Sequence, residues 1–184
     1  MRVTGGELRG RAITAPSTAS LRPTQDRVRE ALFNILAPEI AGADFLDLFA
    51  GTGAVGLEAL SRGARRATFV ESNRRHLAIL DANVAALGTA SRAEVVAADA
   101  YRWIASRQGG SFSIAFADPP YALGEERGYA SVLEALASHG VVRPGGLFVA
   151  EMTAVQKAEE APGWDLLRDR TYGRTRICIW RRTA

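Results

Sequence analysis

The sequence predicts an α/β fold: a mostly parallel, seven-stranded sheet that ends in an antiparallel hairpin and carries an N-terminal β-hairpin extension. Three observations predict it. From Asp44 onward, short apolar runs alternate with segments of helical periodicity, the pattern of strands joined by crossover helices. Glycine or proline punctuates the junctions. The final alternation is followed by two β-rich segments around Tyr172-Gly173-Arg174, which read as a hairpin that reverses one strand.

In order along the chain, Arg2 to Thr4 and Arg11 to Thr14 flank the turn-rich Gly5-Gly6-Glu7-Leu8-Arg9-Gly10 and form the N-terminal hairpin. Alone it is too small to be stable, so it must lean on the main domain or on a partner. Pro16 to Ser20 reads as a loop. The first helix is expected from near Thr24 to Ala37, with Val28, Ala31, Leu32, Ile35 and Leu36 as its apolar stripe and Pro38 as its stop. Strands are expected at Phe45 to Ala50, Ala67 to Val70, Ala93 to Ala97, Phe112 to Ala117 and Leu147 to Glu151. Helices are expected at Leu57 to Arg62, Asn73 to Leu87, Tyr101 to Arg107 and Tyr129 to Ser138, the second stopping at Gly88 and the last at Gly140. Pro144-Gly145-Gly146 turns into the fifth strand, and Trp164 to Arg170 and Thr175 to Trp180 make the closing hairpin. The expected division is residues 1–20 as the extension and 21–184 as the main domain.

Chemistry gathers where strands end. Gly51-Thr52-Gly53-Ala54-Val55-Gly56 is a G-x-G-x-x-G run between a strand and a helix, where glycines allow a tight turn and close approach of a ligand. Glu71 ends the next strand, where a carboxylate can accept hydrogen bonds from ribose hydroxyls. These two features fit a nicotinamide dinucleotide as well as an adenosine-containing methyl donor. Asp47, four residues before Gly51, separates them: it would repel a pyrophosphate but can engage an ammonium group directly or through water. Asp99 follows the third strand and can hold an adenine amine. The ordered set describes a ligand with an ammonium, a ribose and an adenine, and no phosphate.

The fourth strand ends in Asp118-Pro119-Pro120-Tyr121. An amine on an aromatic base is a poor nucleophile, because its lone pair is delocalised into the ring. Asp118 can accept one of its protons and the Pro119 carbonyl the other. Pro119 and Pro120 remove two backbone donors and hold an extended geometry, and Tyr121 offers a face on which a base can stack. The tetrapeptide reads as a slot for an exocyclic amine about to be alkylated.

Charge is polarised along the chain. Residues 1–29 carry six arginines against Glu7 and Asp26, and residues 165–184 carry six against Asp165 and Asp169, so the stretch between is acidic although the whole is +3. Lys157 is the sole lysine, so coding bias explains arginine over lysine, but it does not explain the clustering at both ends. Basic ends beside an acidic body suit a polyanionic substrate. Cys178 is the sole cysteine, and neither His76 nor His139 forms a metal-ligand spacing with it. No apolar run approaches a membrane span and the N-terminus lacks a signal peptide's apolar core, so a cytoplasmic protein with no membrane partner is expected.

The chain resembles the class I S-adenosylmethionine-dependent methyltransferases, and more narrowly the bacterial 16S ribosomal RNA (guanine(966)-N2)-methyltransferase family. The resemblance covers nearly the whole chain. It rests on Gly5 to Gly10, on Arg22-Pro23-Thr24-Gln25-Asp26-Arg27-Val28-Arg29-Glu30-Ala31-Leu32-Phe33-Asn34, on Asp47 to Gly53 and on Asp118 to Tyr121, and the second stretch is what narrows it. It implies a Rossmann-like fold and transfer of a methyl group from S-adenosylmethionine to guanine N2, leaving S-adenosylhomocysteine, with no metal. It implies that Arg22, Thr24, Asp47, Phe49, Gly51 and Gly53 lie at the methionine end of the donor. Glu71 would hold the ribose, Ser72 would sit beside the adenine, and Asp99 and Ala100 would take the adenine edge. Asp118, Pro119, Pro120 and Tyr121 would grip the target base. Arg2, Arg9, Arg11 and Arg174 are the expected RNA contacts, the partner being 16S rRNA in an assembled or assembling small ribosomal subunit, and the protein a monomer.

Other readings stay open at this point. An adenine-N6 methyltransferase acting on DNA or RNA would use the same slot, although so short a chain leaves no room for a separate target-recognition domain. A protein glutamine methyltransferase usually shows Asn where Asp118 stands. A nicotinamide-dependent dehydrogenase would leave Asp118 to Tyr121 idle, and a non-catalytic RNA chaperone would not need Asp118.

Overall fold

The computed structural model describes residues 1–16, 26–110, 112–119 and 128–183. Its elements are α1 (Asp26–Ile40), β1 (Asp44–Leu48), α2 (Ala54–Ser61), β2 (Arg66–Glu71), α3 (Arg74–Ala86), β3 (Ala93–Ala97), α4 (Ala100–Ala105), β4 (Phe112–Ala117), α5 (Ala130–Ser138), β5 (Val142–Thr153), β6 (Trp164–Tyr172) and β7 (Thr175–Arg182). The strands form a seven-stranded mixed sheet in the order β3-β2-β1-β4-β5-β7-β6. β1, β2 and β3 pair in parallel, as do β4 and β5. β7 runs antiparallel to both β5 and β6, so it is the single reversed strand that the sequence leads one to expect. The chain divides into two compact units, Met1–Asp99 and Ala100–Ala184.

In the first unit, β1 and β2 are buried along almost their whole length, because residues such as Phe45, Leu46, Phe69 and Val70 are covered on both faces. Every residue of α2 is buried. α3 begins at a cap: the Asn73 side chain accepts from the N–H groups of Arg75 and His76. α1 buries Val28, Arg29, Leu32, Phe33, Leu36 and Ile40. Pro38 does not stop this helix, which continues to Ile40. In the last turn a proline forfeits a single hydrogen bond, and burial of Ile40 holds that turn in place. The expected start near Thr24 lies outside the described residues. β1 ends at Leu48 rather than Ala50, because Phe49 adopts a positive φ of 62° and begins the turn early.

The N-terminal segment is a ribbon with one antiparallel bridge, Arg2 to Ala12, and Val3 and Ile13 are buried beneath it. Its Gly5-Gly6 step lies directly on α2. A Cβ on Gly6 would stand 1.9 Å from the Ser61 carbonyl oxygen, and φ there is +78°, so only glycine fits. The Glu7 N–H donates to that same carbonyl at 2.8 Å.

In the second unit, β4 is apolar and buried from Ser113 to Ala117. β5 is longer than expected and contains Pro144-Gly145-Gly146 instead of following it. Phe112 pairs with Val142 and Ile114 with Leu147, so the four residues between bulge out of the ladder. Phe148 gathers Tyr129, Trp164 and Trp180 around its ring, with centroids 5.7–6.3 Å away, and these form the unit's aromatic core.

Candidate active site

The register of the first unit aligns the strand ends that carry the predicted donor residues. Leu48 pairs with Val70 and Glu71 with Ala97, so the turn after β1, the end of β2 and the chain leaving β3 share one edge. Asp47, Gly51, Gly53 and Glu71 are brought together there. Glu71 accepts the N–H of Gly51 at 2.8 Å through Oε2, and those of Ser72 and Asn73 at 2.9 and 2.7 Å through Oε1. Asp47 accepts the Gly56 N–H at 2.8 Å, beneath the turn. Burial pushes the Asp47 carboxyl up to about 8; the Gly56 N–H opposes that and the nearby Glu71 charge adds to it. Gly53 has a φ of +79°, and a Cβ on it would meet Leu80 at 2.3 Å.

This geometry discriminates between ligands. A pyrophosphate in such a turn needs free backbone N–H groups pointing at it. Here carboxylates already hold the N–H groups of Gly51 and Gly56, and two acids line the turn. Glu71 supplies the standing negative charge, and an ammonium group brought beside Asp47 would favour its charged form, so the set suits a ligand that is cationic at one end and carries hydroxyls, and it opposes a phosphate. Asp99 is exposed, two residues past the end of β3, and Ser72 is exposed beside Glu71. Phe49 stands in the left-handed region, which is unusual for a bulky residue and marks the turn as constrained. Arg22 and Thr24 lie outside the described residues.

In the second unit Ala100 opens α4 and is buried. Asp118 and Pro119 directly follow β4, Asp118 half-buried and Pro119 buried. Pro120 and Tyr121 lie outside the described residues. The Tyr129 hydroxyl donates to the Glu151 carbonyl at 2.6 Å. Its pKa is raised, first by burial and then by the Asp118 charge, which places a buried phenol within electrostatic reach of Asp118. Burial likewise pushes the Cys178 thiol up to about 12, so it is no nucleophile at neutral pH.

The candidate RNA contacts Arg2, Arg9, Arg11 and Arg174 are all exposed, the first three on the ribbon and the last in the β6–β7 turn. Arg2 and Arg11 spend part of their donor capacity on the carbonyls of Gly10 and Ala86, at 2.8 and 2.7 Å.

Sequence reasoning missed the residues that hold the ribbon. Glu58 and Arg29 have fully buried side chains and face each other at 3.3 Å. Glu58 also accepts from the Thr4 N–H and hydroxyl, the Gly5 N–H and Arg62 Nε, at 2.7–2.8 Å. Arg29 further donates to the Arg2 carbonyl and to Asp26. The available signal was Glu58 itself, an acid in the otherwise apolar Ala54–Ser61 helix. Asn83, in the apolar stripe of α3 with Leu80 and Val84, carried the same signal. His76 also went unassigned; its Nδ1 lies 3.7 Å from Glu71 Oε2.

Comparison with known proteins gives consistent matches. A family model described as "Conserved hypothetical protein 95" matches residues 1–181. Ribosomal RNA small subunit methyltransferase D of Escherichia coli K12 is 39% identical over 185 residues, covering 100% of this chain and 91% of its own length. The protein of the same name from Haemophilus influenzae is 33% identical over 177 residues, 94% of this chain and 89% of its own. The solved structure of Escherichia coli yhhF superposes with a TM-score of 0.89 at 35% identity, covering 100% of this chain and 98% of that one.

Proposed function

The chain belongs to the family described as conserved hypothetical protein 95, and from that premise we propose that it transfers a methyl group from S-adenosylmethionine to a guanine N2 in 16S ribosomal RNA, the base at position 966. The observation that carries the donor assignment is the pair of carboxylates, Asp47 and Glu71, holding the N–H groups of the glycine turn. The RNA assignment draws on the relatives named for methylating small-subunit rRNA, with which the chain aligns end to end. The choice of guanine N2 draws on the resemblance of Arg22 to Asn34 alone, because adenine N6 would meet the same acceptors at Asp118 and Pro119.

S-adenosylmethionine, when bound, supplies a methyl group already activated on a sulfonium centre. The protein's work is then to hold and to polarise. The turn from Phe49 to Gly53, above Asp47, would hold the amino-acid end, with Arg22 and Thr24 contributing as the resemblance implies. Glu71 has one lone-pair position left after its three backbone bonds, enough to accept a ribose hydroxyl. Ser72, Asp99 and Ala100 would border the adenine. Asp118 and the Pro119 carbonyl would accept both protons of the target amine and aim its lone pair, with Pro120 and Tyr121 completing the slot. A guanine paired in a helix has this amine engaged, so the target must be unpaired or flipped out, at a cost of a few kcal/mol. Arg2, Arg9, Arg11 and Arg174 would hold the phosphates around it.

Asp118→Ala tests the division of labour. The variant should bind S-adenosylhomocysteine in calorimetry within about threefold of wild type, while methyl transfer falls by about 10²–10⁴-fold, the usual scale for a positioned proton acceptor. Transfer at the wild-type rate would remove Asp118 from the amine slot. Binding of NAD in place of the homocysteine product would overturn the donor assignment.

A further inference from the structure

Asn83 is 2% exposed and its side-chain amide is saturated. Its Oδ1 accepts the Thr14 N–H at 2.9 Å, and its Nδ2 donates to the Thr14 carbonyl at 3.0 Å and to the Thr52 carbonyl at 3.0 Å. Both amide protons and the carbonyl oxygen are therefore used. Leu80 and Val84 flank it in the buried stripe of α3, where an aliphatic side chain would fill the space with no polar group to satisfy. Packing does not call for an asparagine there. What the amide adds is a link between two pieces of backbone 38 residues apart in sequence, the end of the N-terminal ribbon and the centre of the Gly51-Thr52-Gly53 turn.

The ribbon grips the helix after that turn as well. Glu58 and Ser61, which bind Thr4, Gly5 and Leu8, lie on α2, the helix that the turn opens into. The turn is thus fixed beneath by Asp47, at its first glycine by Glu71 and at its middle carbonyl by Asn83. Of these three anchors, Asn83 is the one whose other hand is on the ribbon.

We propose that Asn83 is a positioning residue for the methyl donor: it sets the Thr52 carbonyl and the turn around it, and through Thr14 it makes the N-terminal ribbon part of the donor site. This rests on the reading of Gly51–Gly53 as the donor turn. A peptide carbonyl released from a buried amide rotates freely enough to disturb the turn on both sides, because glycines flank it. Donor binding must then reorder the turn, and affinity falls by that cost.

Calorimetric titration with S-adenosylhomocysteine is the test, at a temperature where circular dichroism shows each variant folded. Asn83→Ala removes all three bonds. Asn83→Asp keeps the bond from the Thr14 N–H but sets a carboxylate oxygen against two carbonyls. Both should weaken binding by about 10-fold or more, the equivalent of about 1.4 kcal/mol. The donor KM should rise in parallel, with kcat at saturating donor and RNA within about twofold of wild type, since uniform binding alone is lost. Val149→Ala, a core truncation on β5, lowers stability without touching the turn and should leave the affinity unchanged. Where the Asn83 variants fail to fold, Thr14→Pro removes one bond from the ribbon side and should still weaken binding by about threefold, short of one full hydrogen bond. Asn83→Ala or Thr14→Pro binding as tightly as wild type, or Val149→Ala weakening binding equally, overturns the proposal. Wild-type protein that does not bind the homocysteine product at all instead overturns the methyltransferase reading on which the proposal stands.

Discussion

Asp47 is held in a state that its sequence position alone would not suggest. In the unfolded chain its carboxyl ionises near 3.8, and in the folded protein burial moves it to about 8. Between those values the folded state keeps a proton that the unfolded state has shed. The contribution of Asp47 to stability is therefore fully present below about pH 3.8 and is lost as pH rises through about 8. Asp47→Asn cannot titrate and keeps an oxygen for the Gly56 N–H. Urea denaturation should show the variant gaining on wild type steadily from pH 5 to pH 8, and a pH-independent difference would contradict the burial argument. Asp47 and Glu71 were legible as candidate donor-site acids because each falls at a strand end, one just before the glycine run and one on the next strand. Their use in bonding the turn's own backbone was not, since that depends on rotamers that no spacing encodes. Asp118 was legible as a candidate in the same way, yet the phenol of Tyr129 near it comes from a helix start eleven residues on and left no signal beyond an aromatic at a cap.

At the scale of elements, the N-terminal ribbon is a docked part of the first unit. The buried acid that holds it, Glu58 of α2, is satisfied by Thr4, Gly5, Arg29 and Arg62, and removing it takes from the buried Arg29 its one fully buried counter-charge, leaving the half-exposed Asp26 and the Arg2 carbonyl. Glu58→Ala should cost about 3–5 kcal/mol in urea denaturation, the range for breaking a buried ion pair from one side. A loss below about 1 kcal/mol would mean that the network contributes little. Deletion of residues 1–15 removes the buried Val3 and Ile13 and uncovers the core beneath them, so it is a poor probe of RNA binding. Charge reversal at the exposed Arg9 and Arg11 avoids that. Arg9→Glu with Arg11→Glu should weaken RNA binding, flatten its dependence on salt by roughly 0.7–0.9 for each phosphate no longer neutralised, and leave the thermal midpoint nearly unchanged. An unaltered salt slope would leave the ribbon a purely structural role. The alternation of apolar runs and helical periodicity revealed every strand from β1 to β7. Boundaries failed where backbone detail overrode composition: Phe49 turns early with a positive φ, Pro38 is carried inside α1, and Pro144-Gly145-Gly146 bulges within β5 instead of preceding it.

Over the whole molecule, basic segments at both ends of the sequence bracket an acidic stretch that contains the proposed donor-site acids Asp47, Glu71 and Asp99. That polarity matches the proposed chemistry: carboxylates for a cationic donor, arginines for a polyanionic acceptor. Among the described residues no helix is long and apolar enough to cross a membrane. In the proposed reaction the donor turn, the amine slot and the basic ends each have one part of a single task, and the identity of the product tests all three. Small ribosomal subunits from a strain lacking this protein, incubated with the purified protein and methyl-labelled S-adenosylmethionine, should take up label that nucleoside digestion recovers as N2-methylguanosine. Label in N6-methyladenosine would keep the amine slot and contradict the guanine assignment, and label in 5-methylcytidine, or none in the small-subunit RNA, would contradict the account as a whole.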